Sequence, residues 1–151
     1  MKFLLEIITP QRQAFAEEVD SVVVPTANGS IGVLAHHEPL FSSLAEGEIK
    51  ITVGPKEYLL AIGGGFMEVS QSKVSILVSR AVHAHELNEA EIKKAQEAAK
   101  SVIAGRATGD ELATAQAMHR RSLLELKVYR RHRQRTPISH PATNYCRRVD
   151  R

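Results

Sequence analysis

The residues that could do chemistry in this chain are few and scattered. Gly63-Gly64-Gly65 is a glycine run of the kind that can cradle phosphate with bare backbone N–H groups. It lacks the Gly-Lys-Ser/Thr ending of a P-loop and the strand-to-helix setting of a dinucleotide site. It therefore reads as a tight connection between strands, where glycine lets backbones approach and a Cβ would clash. Six of the seven histidines fall into three groups, His36-His37, His83-x-His85, and His119 with His132. Adjacent histidines on a strand point to opposite faces, and an i, i+2 pair can chelate only if its segment is a strand. No neighbouring Asp, Glu or Cys set completes a coordination sphere, so no metal site is expected. His37, ahead of Glu38-Pro39-Leu40, reads as a loop residue with a structural hydrogen bond. Ser42-Ser43 lies in no nucleophile elbow. Arg147 and Arg148 beside Cys146 favour the thiolate, but a catalytic thiol needs a pocket that a polar tail lacks. The sequence argues against catalysis and implies neither catalytic residues nor a cofactor.

The elements that would carry these residues change character near Glu86. The first half reads as short strands: 3–8 stopped at Thr9-Pro10, 21–24 ending at Pro25, 31–34, 48–53, 57–62, 66–70 and 74–79. Asn28-Gly29 marks a tight hairpin turn, and Gly54-Pro55-Lys56 and Gln71-Ser72-Lys73 are further hinges. Seven or eight short strands with no helix between them predict a sandwich or barrel, and two packed sheets are expected. With 43% hydrophobic residues, 5% aromatic and no Trp, the core rests on Val, Ile, Leu and Ala. No apolar run approaches the roughly 18 residues that span a bilayer. An acid at Glu6 comes too early for a signal-peptide core, and the single Cys fits a reducing compartment.

The second half predicts a helical hairpin. Asn88 with Glu91 forms a capping signal, Ile92, Ala95, Ala99, Val102 and Ile103 follow at helical spacing, and Ala104-Gly105-Arg106 ends the helix. Thr108 and Glu111 repeat the signal for a second helix running from about Gly109 to about Arg133, roughly 37 Å long. Leu112, Ala115, Met118, Leu126 and Tyr129 are expected to zip against the first helix. Arg120, Lys127 and Arg131, with Leu124 and Val128 beside them, are expected on the outer face, a mixture suited to an acidic protein surface. The alternative is a solvated face with incidental Leu and Val. The seam of the first helix is mostly alanine, whose burial gains little, so the hairpin should be held weakly enough to open. Charge reverses along the chain: residues 1–118 carry ten Lys/Arg against fifteen Asp/Glu, and residues 119–151 carry ten against two. The expected division is a β-sandwich over 1–85, a regulatory hairpin over 86–135 and a disordered tail over 136–151.

The order of landmarks resembles one family. Thr9-Pro10, Glu18-Val19-Asp20-Ser21-Val22, Gly32-Val33-Leu34-Ala35-His36-His37-Glu38-Pro39-Leu40, Gly64-Gly65-Phe66-Met67-Glu68-Val69 and the two-helix end are together similar to the ε subunit of the F-type ATP synthase. The likeness covers about residues 2–133. It implies an α+β chain, an antiparallel β-sandwich followed by an antiparallel helical hairpin, that catalyses nothing itself. It implies a place in the central stalk, packed on the γ subunit and resting on the c-ring, coupling ion translocation to ATP synthesis in the α/β head. It also implies peripheral attachment to the cytoplasmic face of a bacterial membrane, without direct insertion. The family's geometry directs Asn28, Gly29, Ser30, Ile31 and His37 toward the c-ring and γ. Ser30 stands where relatives can carry an acid. The helices can fold on the sandwich or extend into the head, where Arg120, Arg121, Leu124, Lys127, Val128, Arg130 and Arg131 would meet an acidic segment and block hydrolysis.

The chain departs from the family at two motifs. Some members bind ATP through Ile/Leu-Asp-x-x-Arg-Ala at the start of the first helix. Here the stretch is Leu87-Asn88-Glu89-Ala90-Glu91-Ile92, with Glu91 where the phosphate-facing Arg belongs, which predicts no ATP sensing. The usual Pro-Gly-His turn is Ala35-His36-His37. Two other functions compete with this reading. A nucleic-acid-binding module could use the basic helix to neutralise phosphates, but that helix has no obvious set of base-reading side chains and Tyr129 is its only aromatic residue. A small metalloenzyme could use the histidines, and stoichiometric zinc would reveal it.

Overall fold

A computed structural model describes residues 1–105 and 108–135. The strands are β1 (Phe3–Ile8), β2 (Gln13–Val19), β3 (Ser21–Thr26), β4 (Gly29–Leu34), β5 (Leu40–Leu44), β6 (Gly47–Val53), β7 (Lys56–Ile62), β8 (Gly65–Val69), β9 (Lys73–Val78) and β10 (Ala81–His83). A 3-10 turn, Ala84–Glu86, leads to helices α1 (Glu89–Ala104) and α2 (Asp110–Arg135). The tail expected to be disordered, 136–151, lies outside the described residues.

The ladder runs β10-β7-β6-β3-β5-β8-β9-β1-β2, with β4 also on β3. It is antiparallel throughout except for β1 against β9. At Thr26, β3 meets β5 through a single pair with Leu44, and there the sheet folds back on itself. Period-two alternation turns one side of each strand inward. Leu5, Ile7, Val19, Val22, Val24, Val33, Ile49, Ile51, Leu60, Met67 and Ile76 close into one core without solvent exposure beyond a trace. The expected sandwich with a helical end is the observed fold.

Ten strands exceed the seven or eight expected, and the additions are β2, β5 and β10. In β2 only Phe15 and Val19 are buried, because β2 ends the ladder against β1 and leaves Glu17 and Glu18 in solvent. Its sequence therefore does not alternate. β5 buries Leu44 alone, and β10 is three residues long.

β7 is the exception that places the hairpin. Leu59, Leu60, Ala61 and Ile62 are all buried, so this strand is covered on both faces. Leu60 and Ile62 join the sandwich core, while Leu59 and Ala61 form a second cluster with Ala84 and Val128, flanked by Leu87 and Leu124. Helix α2 is that second cover. Asn88 caps α1, its side chain accepting from the Ala90 N–H at 3.0 Å, and α1 packs along α2.

The turn after β4 carries strain. His36 has φ +61°, in the left-handed region, while the His37 N–H reaches back to the Leu34 carbonyl at 3.3 Å. An L-residue there costs about 1–2 kcal/mol, partly offset because glycine loses more entropy on folding. His36→Gly is expected to stabilise the sandwich by about 0.5–1 kcal/mol, read as a higher urea midpoint at unchanged slope.

Candidate functional site

The sites that matter are surfaces rather than a pocket, and four of them follow from the ladder. The first is the β3–β4 hairpin tip. Register pairs Thr26 with Gly29, leaving Ala27 and Asn28 as a two-residue turn. Gly29 sits at φ +122°, which glycine adopts without strain, and the Thr26 hydroxyl donates to its carbonyl at 2.7 Å. Asn28, Gly29 and Ser30 are exposed and Ile31 is half-buried. His37 lies at the far end of the six-residue β4, roughly 20 Å away. Its ring Nδ1 is 2.8 Å from the Glu38 carbonyl. The tip and His37 are therefore two separate places, not one patch.

The second surface has no counterpart among the residues singled out from the sequence. Phe66 pairs with Leu77 and Leu77 with Ile8 across β8, β9 and β1, so the three side chains share the face turned away from the core. Phe41 on β5 stacks on Phe66 with ring centroids 5.7 Å apart. Phe41 is 69% exposed, Phe66 53% and Leu77 51%, a continuous apolar strip on a water-facing sheet. Its signal was present as period two: Met67 and Val69 point in, so Phe66 points out.

The third surface is the base of the hairpin. Arg12 reaches Glu86 through both terminal guanidinium nitrogens, at 2.8 and 3.3 Å, tying the β1–β2 turn to the 3-10 turn. This bidentate contact, helped by the His83 N–H, holds the Glu86 carboxyl below its ordinary value against some desolvation. His83 packs beside His85, ring centroids 5.1 Å apart, and its Nε2 lies 2.9 Å from the Ala14 carbonyl. A shallow recess here is lined by His85, Glu86, Asn88, Glu89, Lys93 and Tyr129. Glu89 stands in it with its carboxyl held low, chiefly by hydrogen bonding to Lys93. A carboxylate in that position repels phosphate rather than receiving it.

The fourth surface is α2. Two sequence expectations are corrected. Leu124 and Val128 do not face outward: Val128 is fully buried and Leu124 half-buried against Leu59 and Ala61, because β7 needs a cover on that side. Met118, expected in the helix seam, is 45% exposed at the rim of a groove with Ala98, Ala99 and Val102. Every Lys and Arg of α2 is exposed, and Arg121, Arg131 and Arg135 are also held in ion pairs. Arg121 reaches Glu125 at 3.3 Å, and Arg80 grips the same carboxylate oxygen. Arg131 pairs with Glu48 and Arg135 with Glu57, which also holds Lys50 at 2.8 Å. No helix among the described residues is long and apolar enough to cross a membrane.

Comparison with known proteins agrees with this architecture. Residues 2–84 match the model of the ATP synthase Delta/Epsilon chain β-sandwich domain. The ATP synthase epsilon chain of Dehalococcoides mccartyi is 36% identical over 91% of this chain and 99% of its own length. That of Herpetosiphon aurantiacus is 36% identical over 89% and 99%. Among solved structures, a chain of the Euglena gracilis mitochondrial ATP synthase (OSCP/F1/c-ring) superposes with TM-score 0.62 at 23% identity, covering 88% of this chain and 80% of that one. One from the Tetrahymena thermophila central stalk/c-ring gives 0.55 at 14%, covering 85% and 97%. A sandwich matched by the family model, a hairpin in the expected place and relatives aligned over nearly their whole length leave one assignment: the chain belongs to the ATP synthase epsilon chain family.

Proposed function

We propose that this chain is a non-catalytic central-stalk subunit that couples ion flow through the c-ring to ATP synthesis, and that its hairpin restrains ATP hydrolysis. The observation that carries the coupling role is the strip Phe41–Phe66–Leu77–Ile8. A sheet that buries its other face in a complete core has no internal use for an exposed aromatic strip, and such patches mark protein interfaces. The strip receives the γ subunit. The tip Asn28–Ile31 projects at one end of β4 and meets the c-ring, with His37 at the other end on the γ side. The assembly holds the chain at the membrane surface, on the cytoplasmic face of a bacterial cell.

The regulatory role rests on α2. In the docked hairpin Arg120, Lys127 and Arg130 already face solvent, whereas Arg121, Arg131, Leu124 and Val128 are engaged within the chain. Lifting α2 frees the second group and assembles one cationic and apolar face for an acidic segment of the head. Exposed ion pairs contribute roughly 0–1 kcal/mol each, so inhibition depends on several acting together. Glu91 stands where the phosphate-facing Arg belongs and Glu89 lines the recess at His85–Lys93, which supports a switch that works without nucleotide.

The test is ATP hydrolysis by a complex reconstituted from α, β and γ with either the full chain or one ending at Glu86. Truncation is expected to raise hydrolysis several-fold while γ binding is kept. Unchanged hydrolysis would remove the inhibitory role, and loss of γ binding by both forms would remove the stalk role.

A further inference from the structure

We infer that the sandwich carries its own acidic receptor for the basic helix: Glu48 and Glu57 hold Arg131 and Arg135, so ionic strength sets hairpin docking and an acidic partner must compete for the same arginines. This deepens the hairpin reading above and rests on it for its biological purpose.

The geometry is a single helical stripe. Leu124, Val128, Arg131 and Arg135 follow one another at i, i+4, i+7 and i+11, one face of α2. Its apolar end lies on Leu59 and Ala61 of β7, and its cationic end on Glu48 of β6 and Glu57 of β7. The apolar end is small, Val128 and the half-buried Leu124 on Leu59, Ala61, Ala84 and Leu87, so the ion pairs shift the balance between a docked and a lifted helix. The acids are also poised to let go. Glu48 offers Oε1 to Arg131 while its Oε2 is buried without a partner, a carboxylate half-satisfied beneath the helix that water would complete on release. Glu57 keeps Lys50 when Arg135 leaves. Both outcomes keep release inexpensive. The Glu125 carboxylate is covered about as well as that of Glu48, but its partner Arg80 is less exposed than Arg131, so the Arg80–Glu125 pair is screened less by salt.

Surface pairs lose their attraction as the Debye length shrinks, from roughly 20 Å at about 20 mM salt to roughly 4 Å at about 500 mM. A partner that presents carboxylates to Arg131 and Arg135 acts on the same equilibrium, because each guanidinium that leaves the sandwich becomes available to it.

The experiment uses the full chain with Cys146→Ser and spin labels at Gln71→Cys on the β8–β9 turn and Gln116→Cys on α2, both exposed. Pulsed EPR distances report the docked share. From about 20 mM to about 500 mM NaCl the docked-to-lifted ratio is expected to fall about tenfold, a few-fold for each exposed pair. The pair Glu48→Gln with Glu57→Gln is expected to lower the ratio at low salt and flatten its salt response. Glu48→Arg with Arg131→Glu is expected to restore docking. Docking that ignores salt, or a Gln pair that keeps the parent's salt response, overturns the inference. A chain that ignores salt yet binds γ overturns the latch alone. A chain that undocks with salt but binds no γ supports the latch and overturns the stalk reading instead.

Discussion

Gly65→Ala is expected to cost the sandwich about 3 kcal/mol or more, an overpacking strain joined by the loss of ladder hydrogen bonds. A Cβ at Gly65 would stand 2.0 Å from the Leu77 carbonyl oxygen and 2.7 Å from the Val78 Cα. Those are backbone atoms of the neighbouring strand, so no side chain can swing away, and β8 and β9 must part at the Gly65–Val78 pair. Parting also pulls on the bonds from the Ser79 N–H to Gly64 and from the Gly63 N–H to Arg80. The neighbouring glycines are internal controls. At Gly64 the nearest atom is 3.5 Å away, an ordinary contact, so Gly64→Ala is expected to be mild. At Gly63 the clash is with the Ser79 hydroxyl at 2.3 Å, which can rotate, so the cost falls between the two. Urea unfolding of the three variants checks the order. A Gly65→Ala midpoint matching the parent's would mean that the strands are not packed as described.

The triplet also shows what was legible in the sequence. Three glycines without a phosphate-binding context implied close backbone approach, and the approach is real at Gly65, yet nothing in the letters distinguished Gly65 from Gly64. Strands with clean alternation, β6 and β9, were readable because one face meets the core and the other meets water, and β1 was readable as a β-prone run stopped at Thr9-Pro10. β2 and β5 were not, since an edge strand and a strand with a single buried residue leave no alternation to find.

Val128 was misplaced for a different reason. Amphipathicity shows that a helix has two faces but not which neighbour each one meets. The clue lay elsewhere, in the unbroken apolar run Leu59–Ile62, which requires a cover on the outer face of β7. The strain at His36 was half visible, as a histidine where the family places glycine. Period two could turn Phe66 outward, but not reveal the strip, because Phe41, Phe66 and Leu77 become neighbours only through the ladder.

That strip supports the largest effect on function. Phe41→Ser combined with Phe66→Ser is expected to weaken γ binding by a factor of about 100 or more, while the isolated chain keeps its stability. Both rings are mostly exposed in the free chain, so truncating them removes little buried area beyond their own stack. In a complex each ring can bury about 150–250 Å², and aromatic anchors at the centre of an interface often contribute about 2 kcal/mol or more. Two such losses multiply to a factor of roughly 1,000 if independent, and fewer if the rings act as one unit. The hairpin is left untouched by these substitutions, which separates attachment from inhibition. A double variant that no longer binds γ should also fail to restrain hydrolysis, even with every arginine of α2 in place, because in the proposed function the basic helix reaches the head only from a sandwich anchored beside it. Substitutions at the hairpin tip, Asn28 and Ser30, which the proposed function gives to the c-ring, should leave γ affinity unchanged. Titration calorimetry against purified γ gives the answer directly. Affinity within threefold of the parent's would show that γ does not dock on this strip, and that its exposed aromatics serve some other contact.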